Sequence, residues 1–378
     1  MKRSLTLGPV IAREEAGTRR LRVEVGGEPL WYESADVALD TGAEGPACAV
    51  LLAAAAAGRP LEISGPVSAL WLANTGQLME RWREWWGYPV LPCQARVLTQ
   101  ARLRVDGTAL CFTGGVDSFH TLLCGPVKPD LLAFVHGYDI PLDDPRRMVA
   151  FEPSLREVAA ATGARAVVLR SNLRQHRVAA ACPWEQSHGG ALAAIGHLLA
   201  GQVGTLLLSS SFPTTYDMQW GSHWQLDPLW SSERLTVAHW GATHSRVGKV
   251  RDLAAQELAQ RHLRVCWENR SAAGNCSRCD KCLCTMALID AFGARDRFRG
   301  FDWPGSLADP IDRVPWTRFV RTYGELLALG VGPRLAASIR SLLVRTAHRS
   351  MAPSGVRRWV DLARRVARVR SRRGDLPG

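Results

Sequence analysis

Lysine is scarce in this sequence of 378 residues: 47 residues are lysine or arginine, and the only lysines are Lys2, Lys128, Lys249 and Lys281. The formal net charge is +12, but +8 of it falls in the last 34 residues, where ten arginines accompany two aspartates. The rest of the chain is only mildly basic. This distribution weakens the case for a nucleic-acid-binding surface over the whole molecule, and it makes each lysine a candidate for a specific role.

Long apolar runs are also missing. The longest, from Ala47 to Gly58, is too short to span a bilayer. The first residues are basic but are not followed by the apolar segment of a secretory signal. We therefore expect no membrane span and a cytoplasmic location. In such a chain the ten cysteines favour free thiols or metal ligands over disulfides.

The pattern of the chain changes twice along its length. Residues 1–106 mix strand-like and helical segments, including a tryptophan-rich helix over 71–86, and predict a separate N-terminal α+β domain whose aromatics form core or interdomain contacts. In 107–300 short apolar strands alternate with helices, which predicts an α/β fold with a parallel sheet covered on both faces. Residues 301–378 predict a basic helical C-terminal extension.

The stretch LCFTGGVDSFHTLL, residues 110–123, leaves a predicted strand through two glycines and enters a predicted helix. Its turn comprises Thr113, Gly114, Gly115, Val116, Asp117 and Ser118. Glycines allow the backbone to turn tightly and approach a ligand. The free N–H groups and the positive dipole of a helix start suit a phosphate. A sharp strand-to-helix turn with an Asx-type cap is the alternative.

Other predicted strands also end in small or polar residues. These ends are 136–139, 170–172 and 209–211. Ligands of open parallel sheets bind outside the carboxyl ends of the strands. The recurrence of polar strand ends therefore favours a binding site over an isolated turn.

A cluster of five cysteines lies within nineteen residues. Cys266, Cys276, Cys279 and Cys282 have the spacing C-x9-C-x2-C-x2-C, and Cys284 offers an alternative to Cys282. Four thiolates within one loop suit tetrahedral Zn²⁺ in a closed structural site. The sequence therefore predicts a zinc loop over 266–284.

The turn at 113–118 resembles the pyrophosphate loop of the PP-loop ATP pyrophosphatases, whose usual form is Ser-Gly-Gly-X-Asp-Ser. Thr113 replaces the first serine and keeps a hydroxyl, and the Gly-Lys-Ser/Thr ending of a Walker loop is missing. The resemblance implies a HUP-type nucleotide-binding domain that cleaves ATP between its α- and β-phosphates. It also implies that the Asp117 carboxylate helps to bind Mg²⁺.

The order of pyrophosphate loop, parallel sheet, lysine-bearing helix and four-cysteine loop resembles the 7-cyano-7-deazaguanine synthases over residues 107–292, half of the chain. The resemblance implies that Lys249 and Arg246, in the segment SRVGKVRDLA, lie near the phosphates; a solvent-exposed helix face is the alternative. It further implies adenosine contacts at His136, Asp139, Ser171 and Gly189. The flanking regions do not match that family, which indicates a relative with its own substrate.

Together these features predict an adenylating enzyme with ATP, Mg²⁺ and Zn²⁺, and with Asp117, Ser118, Lys249 and Arg246 as catalytic residues. It would activate a carboxyl or carbonyl group of a small molecule or modified base for attack by ammonia, an amine or a sulfur donor. The alternatives are an RNA-modifying PP-loop ligase or thiolase, and a zinc module that binds ATP or nucleic acid without turnover.

The end of the chain carries an apolar stripe with arginines opposite it, over 356–367. Packing against the body of the protein is the default expectation for such a helix. RNA, an anionic membrane surface or an acidic partner would also suit its charge. A homo-oligomer is compatible with the sequence, which leaves the oligomeric state open.

Overall fold

A computed structural model of the chain describes residues 2–15, 17–100, 102–216, 218–271 and 274–351. The basic stripe predicted at 356–367 lies outside the described residues. None of the helices in the described part of the chain is long and apolar enough to cross a membrane.

The described residues form one sheet of eleven strands with helices around it. The strands are β1 (Leu5–Leu7), β2 (Ile11–Glu15), β3 (Thr18–Val25), β4 (Glu28–Ser34), β5 (Leu61–Val67), β6 (Cys93–Val97), β7 (Thr108–Cys111), β8 (Leu131–His136), β9 (Arg165–Ser171), β10 (Thr205–Ser209) and β11 (Thr236–Trp240). The helices are α1 (Glu44–Ala56), α2 (Ala69–Trp86), α3 (Val116–Cys124), α4 (Pro145–Thr162), α5 (Arg177–Ala180), α6 (Trp184–Leu198), α7 (Arg246–Leu253), α8 (Glu257–His262), α9 (Asp280–Ala291), α10 (Ala308–Asp312), α11 (Val320–Ala328) and α12 (Pro333–Met351).

Five strands form the parallel half of the sheet, in the order β11-β10-β7-β8-β9. After β7, the strands β8 and β9 follow in order on one side of it. The next strand, β10, lies on the other side of β7. The strand order therefore reverses between β7 and β10, and such a switch point is where open parallel sheets bind ligands. The predicted α/β fold with a mostly parallel central sheet is confirmed.

Apolar residues on both sides of the strands explain why helices cover both faces. In β8 every residue is buried, and successive side chains of a strand point to opposite faces. Ala133 and Val135 belong to one core, which also contains α1 and α6. Leu132 and Phe134 belong to the other, which contains α3, α4, α7 and α9. The described part of the predicted extension forms α10, α11 and α12, which pack on this second core.

The sheet continues across the predicted boundary at residues 106 and 107. Strand β9 pairs antiparallel with β4, and β3, β1, β5 and β6 follow in order. Helix α2 contributes Trp82, which is buried and lies 5.8 Å from Trp230, ring centroid to ring centroid. The predicted core role of the tryptophan-rich helix is thus confirmed. The two segments share a sheet and a core, and the division into domains at this position stays a prediction.

Candidate functional site

The turn between β7 and α3 lies at the switch point of the sheet. Gly114 has φ +74°, and a Cβ there would lie 3.4 Å from the ring of Phe151. Gly115 is the N-cap of α3 in extended conformation. Because glycine has no side chain, it cannot supply the Asx-type cap considered above. The amides at the start of α3 are left to face the turn.

Asp117 stands in the first turn of α3 and is paired with Lys249 of α7. The Lys249 ammonium donates a hydrogen bond to Asp117 Oδ1 at 2.8 Å. Arg246, one turn earlier in α7, places a guanidinium nitrogen 4.0 Å from Asp117 Oδ2. The structure thus brings together three of the four residues predicted to be catalytic. The fourth, Ser118, is buried and donates its hydroxyl to the carbonyl oxygen of Gly115 at 3.2 Å.

These charges decide the protonation of Asp117. Burial raises the pKa of the carboxyl, but the positive charges of Lys249 and Arg246, with a smaller contribution from Lys281, outweigh it. The net pKa of Asp117 lies below its ordinary value of 3.8. The carboxylate is therefore ionised at neutral pH.

The ammonium group of Lys249 is bound at the ends of two different strands. Only 1% of its side chain is exposed, and its ammonium also donates to the carbonyl oxygen of Ser210, just after β10. It therefore links the ends of β7 and β10 across the switch point. Since a buried ammonium is costly unless it is paired, Lys249 and Asp117 depend on each other.

The four-cysteine loop is attached directly to the glycine turn. The amide of Arg264 donates to the carbonyl oxygen of Gly114 at 2.7 Å. Asn275 fixes the adjoining backbone, because its side-chain oxygen accepts from the amides of Val265 and Cys266. A displacement of the cysteine loop would thus be transmitted to the glycine turn through the hydrogen bond between Arg264 and Gly114.

The four predicted cysteine ligands converge. The sulfur atoms of Cys266, Cys276, Cys279 and Cys282 all lie within 4.8 Å of one another. The Sγ atoms of Cys276 and Cys282 are 4.0 Å apart, close to the roughly 3.8 Å that tetrahedral Zn–S bonds of about 2.3 Å require. The four buried cysteines can therefore bind a metal ion such as zinc.

Cys284 does not compete for this site. It lies on α9, is fully buried in the second core, and is not among the four sulfurs that converge. Burial raises the pKa of its thiol, although Arg246 acts against this. By contrast, hydrogen bonds with the thiols of Cys279 and Cys282 lower the pKa of Cys266. The thiolate is the form of cysteine that binds metals.

A cleft of about 1390 Å³ extends from the glycine turn to the cysteine loop. Thr113, Gly115, Cys266 and Lys281 are among the residues that line it. It also contains Asp139, one of the residues predicted to contact adenosine. The cleft therefore opens along the carboxyl ends of the parallel strands.

Cations and indole rings form about a third of the lining of the cleft. Its cationic side chains are Arg174, Arg264, Arg270, Lys281 and Arg318, and its acidic ones are Asp139, Glu185 and Glu268. Its tryptophans are Trp184, Trp220, Trp267 and Trp316. The Arg174 guanidinium stacks 4.6 Å from the ring of Trp184, and that of Arg318 lies 5.1 Å from the ring of Trp267. Such a surface suits a ligand that is both anionic and flat.

Two other predicted adenosine contacts are buried and engaged elsewhere. His136 Nε2 lies 2.9 Å from the carbonyl oxygen of Pro141, and burial lowers the pKa of its imidazole. Ser171 is fully buried, and its hydroxyl oxygen accepts from the amide of Leu173. The structure does not bring these two side chains to the cleft.

Gly189 has a packing reason to be glycine. It lies inside α6 and not in a turn. A Cβ on Gly189 would stand 1.9 Å from the carbonyl oxygen of Gly221, which is impossible without moving backbone. Its neighbour His188 lines the cleft.

Several residues of the site carried no clear signal in the sequence. Ser210 acts through its carbonyl oxygen, which every residue type possesses. Lys281 does have a signal in the sequence, because it is one of four lysines and lies between two cysteine ligands. Burial lowers the pKa of Lys281, and the nearby Arg246 adds to the effect.

No family model, no curated protein and no solved structure matches the chain. The comparisons therefore do not identify the site.

Proposed function

We propose that this chain is a PP-loop ATP pyrophosphatase that transfers AMP to a carboxyl or carbonyl oxygen and so activates it. The observation that carries this proposal is the uncapped glycine turn at the switch point, with Asp117 in the first helical turn held by Lys249 at 2.8 Å. A turn that only connects a strand to a helix has no need of a buried ammonium fixed on its aspartate.

The turn supplies the pyrophosphate site in this proposal. The amides from Gly114 to Ser118 and the positive end of α3 compensate the charge on the β- and γ-phosphates. That compensation matters most as pyrophosphate leaves, because negative charge then accumulates on it. Arg246, with 10% of its side chain exposed, adds a fixed positive charge beside the turn.

Asp117 fits the needs of a magnesium ligand. It is ionised, its Oδ1 accepts a hydrogen bond from Lys249, and a guanidinium nitrogen of Arg246 lies 4.0 Å from its Oδ2. Oxygen ligands of this kind are those Mg²⁺ prefers, and the ion would supply charge neutralisation for the phosphates when bound. Lys249 is buried behind the carboxylate, so we assign it to positioning Asp117.

The reaction proceeds in two steps. An acceptor oxygen attacks the α-phosphorus of ATP and the bond to the β-phosphate oxygen breaks, which releases pyrophosphate and leaves an adenylated acceptor. A nucleophile such as ammonia, an amine or a sulfur donor then attacks the activated carbon, and AMP departs with the former acceptor oxygen. The residues contribute position and charge compensation, which lower the barrier without covalent chemistry on the protein.

The cleft provides room for the acceptor beside ATP. Its volume of about 1390 Å³ exceeds that of most single-ligand sites, which are roughly 300 to 1,000 Å³. Its arginines and tryptophans favour an acceptor with a negative charge and a flat face. The metal in the cysteine loop would be structural, because four cysteines leave no open coordination position. Its role would be to fix the backbone that binds Gly114.

Release of pyrophosphate tests the proposal. Wild type is incubated with ATP, Mg²⁺ and ammonia, with either a small-metabolite extract or bulk RNA. We expect release that depends on the small-molecule fraction and falls by at least about 100-fold in Asp117→Asn. The matched control is Asp143→Asn, an exposed aspartate that should leave the rate unchanged. Each variant is first shown to be folded by circular dichroism.

Dependence on RNA in place of the metabolite fraction would instead favour an RNA-modifying ligase or thiolase. ATP binding without turnover in either fraction would favour a binding module. Equal release by wild type and folded Asp117→Asn would exclude the assigned role of Asp117.

A further inference from the structure

A second group of metal-ligand side chains lies between α3 and α7, apart from the cysteine loop. His120 belongs to α3, Asp252 to α7, and His244 to the turn that precedes α7. Their donor atoms all lie within 4.8 Å of one another. The two helices pack closely, so this grouping is a consequence of the same contact that pairs Asp117 with Lys249.

The distances within the group suit a single bound ion. His120 Nε2 lies 3.2 Å from Asp252 Oδ2, and the imidazole rings of His120 and His244 are 4.9 Å apart, centroid to centroid. Ligands on a tetrahedral ion with bonds of about 2.0 to 2.1 Å lie roughly 3.4 Å apart. Small side-chain rotations would complete the site.

His120 is poorly satisfied by the protein alone. Only 1% of its surface is exposed, and among the described residues its Nδ1 has no hydrogen-bond partner. Its Nε2 contacts Asp252 Oδ2. Buried polar atoms are nearly always paired, whereas this imidazole lacks a partner within the described part of the chain for one of its two nitrogens.

An ion can reach the group from solvent. His244 is half-buried, and 28% of the Asp252 side chain is exposed. Arg251 contacts only the other carboxylate oxygen, Oδ1, at 3.3 Å. Oδ2 is the oxygen that contacts His120.

We infer that His120, His244 and Asp252 bind one divalent transition-metal ion. Two imidazoles and one carboxylate are the donor set of zinc and of other late first-row metals, whereas Mg²⁺ and Ca²⁺ prefer oxygen ligands. Three protein ligands leave positions for water. The ion clamps α3 to α7 one helical turn from Asp117 and Lys249, and this inference does not depend on the function proposed above.

Cobalt binding to the full chain tests the inference. The protein is prepared with Zn²⁺ in the four-cysteine loop and titrated with Co²⁺, followed by calorimetry and visible absorption. Cobalt bound to nitrogen and oxygen shows ligand-field bands without the intense charge-transfer band of cobalt thiolate. We expect one equivalent of Co²⁺ with the first kind of spectrum, and an increased melting temperature.

The variants His244→Ala and Asp252→Asn change partly exposed side chains and should remain folded. We expect each to weaken Co²⁺ binding by at least about 100-fold while keeping the zinc of the cysteine loop. His348→Ala, at an exposed histidine of α12, should bind as wild type does. The inference is overturned if wild type binds no Co²⁺, if bound Co²⁺ shows only the thiolate spectrum, or if both variants bind as tightly as wild type.

Discussion

Lys249 is one of four lysines in the chain, and almost none of its side chain reaches solvent. Its ammonium is balanced by Asp117 and by the carbonyl oxygen of Ser210. Removing one partner of a buried ion pair commonly costs about 3 to 5 kcal/mol, since the other charge is left uncompensated. We therefore expect this pair to matter for stability as well as for the proposed chemistry.

The pair predicts a pH dependence of stability with a definite sign. The pKa of Asp117 is lower in the folded protein than its ordinary value of 3.8, so its contribution is complete above that value and is lost as pH falls through the folded-state pKa. The difference in unfolding free energy between wild type and Asp117→Asn should be constant near neutral pH and shrink below about pH 4. Urea unfolding from pH 7 to pH 3 measures it.

Lys249→Met is the matched variant for this measurement. Without the ammonium, burial of Asp117 is opposed only by the charges of Arg246 and Lys281. The pKa of Asp117 should therefore be higher than in wild type, and stability should begin to fall at a higher pH. A wild-type advantage over Asp117→Asn that is the same at pH 3 and pH 7 would contradict the assigned ion pair.

At the residue scale, the roles of side chains were more predictable from the sequence than the contacts of backbone groups. The resemblance implied that Lys249 and Arg246 lie near the phosphates, and in the structure both lie beside Asp117. The carbonyl oxygen of Ser210 was not foreseeable, because a backbone acceptor has no residue signature. The engagement of His136 with Pro141 likewise depends on the loop conformation after β8, which residue types do not specify.

At the scale of elements, the cysteine loop and α9 form one unit. Three ligands precede α9 and the fourth, Cys282, lies in its first turn, whereas Cys284 enters the core from the second turn of that helix. Helical geometry separates two cysteines only two residues apart, because they point in different directions. The spacing in the sequence left Cys282 and Cys284 as alternatives, and the helix start decides between them.

The metal content of cysteine variants checks this assignment. Cys276→Ser should lose the bound zinc, since a structural site needs all four thiolates. Cys284→Ala should retain a full equivalent, because Cys284 lies outside the cluster. Metal analysis of the purified proteins measures both. Loss of zinc from Cys284→Ala together with retention in Cys276→Ser would show that the ligand set is wrong.

At the scale of the whole molecule, the N-terminal strands extend the parallel sheet. The pairing of Tyr32 with Ser171 joins segments far apart in the chain. Apolar periodicity predicts that a strand exists but not which strand it pairs with. For this reason the alternation of strands and helices in 107–300 could be predicted from the sequence. The continuity of the sheet across residues 106 and 107 could not.

Because the segments before and after residue 106 share a sheet and a core, we expect them to unfold cooperatively. Tryptophan fluorescence, to which all 14 tryptophans of the chain contribute, and far-ultraviolet circular dichroism should give coincident denaturant transitions. Trp82→Ala should shift both together, with a loss of about 3 to 5 kcal/mol. Two well-separated transitions, with only one sensitive to Trp82→Ala, would instead indicate independently folding units.

The fate of ATP labelled at the α- or the γ-phosphate tests the proposed function most directly. The purified chain is incubated with each labelled ATP, Mg²⁺, ammonia and a small-metabolite extract. Cleavage at the glycine turn predicts label in AMP from the first substrate and in pyrophosphate from the second, with neither formed by folded Asp117→Asn. Accumulation of ADP and inorganic phosphate as primary products would contradict the proposal, because the bond broken would be the wrong one.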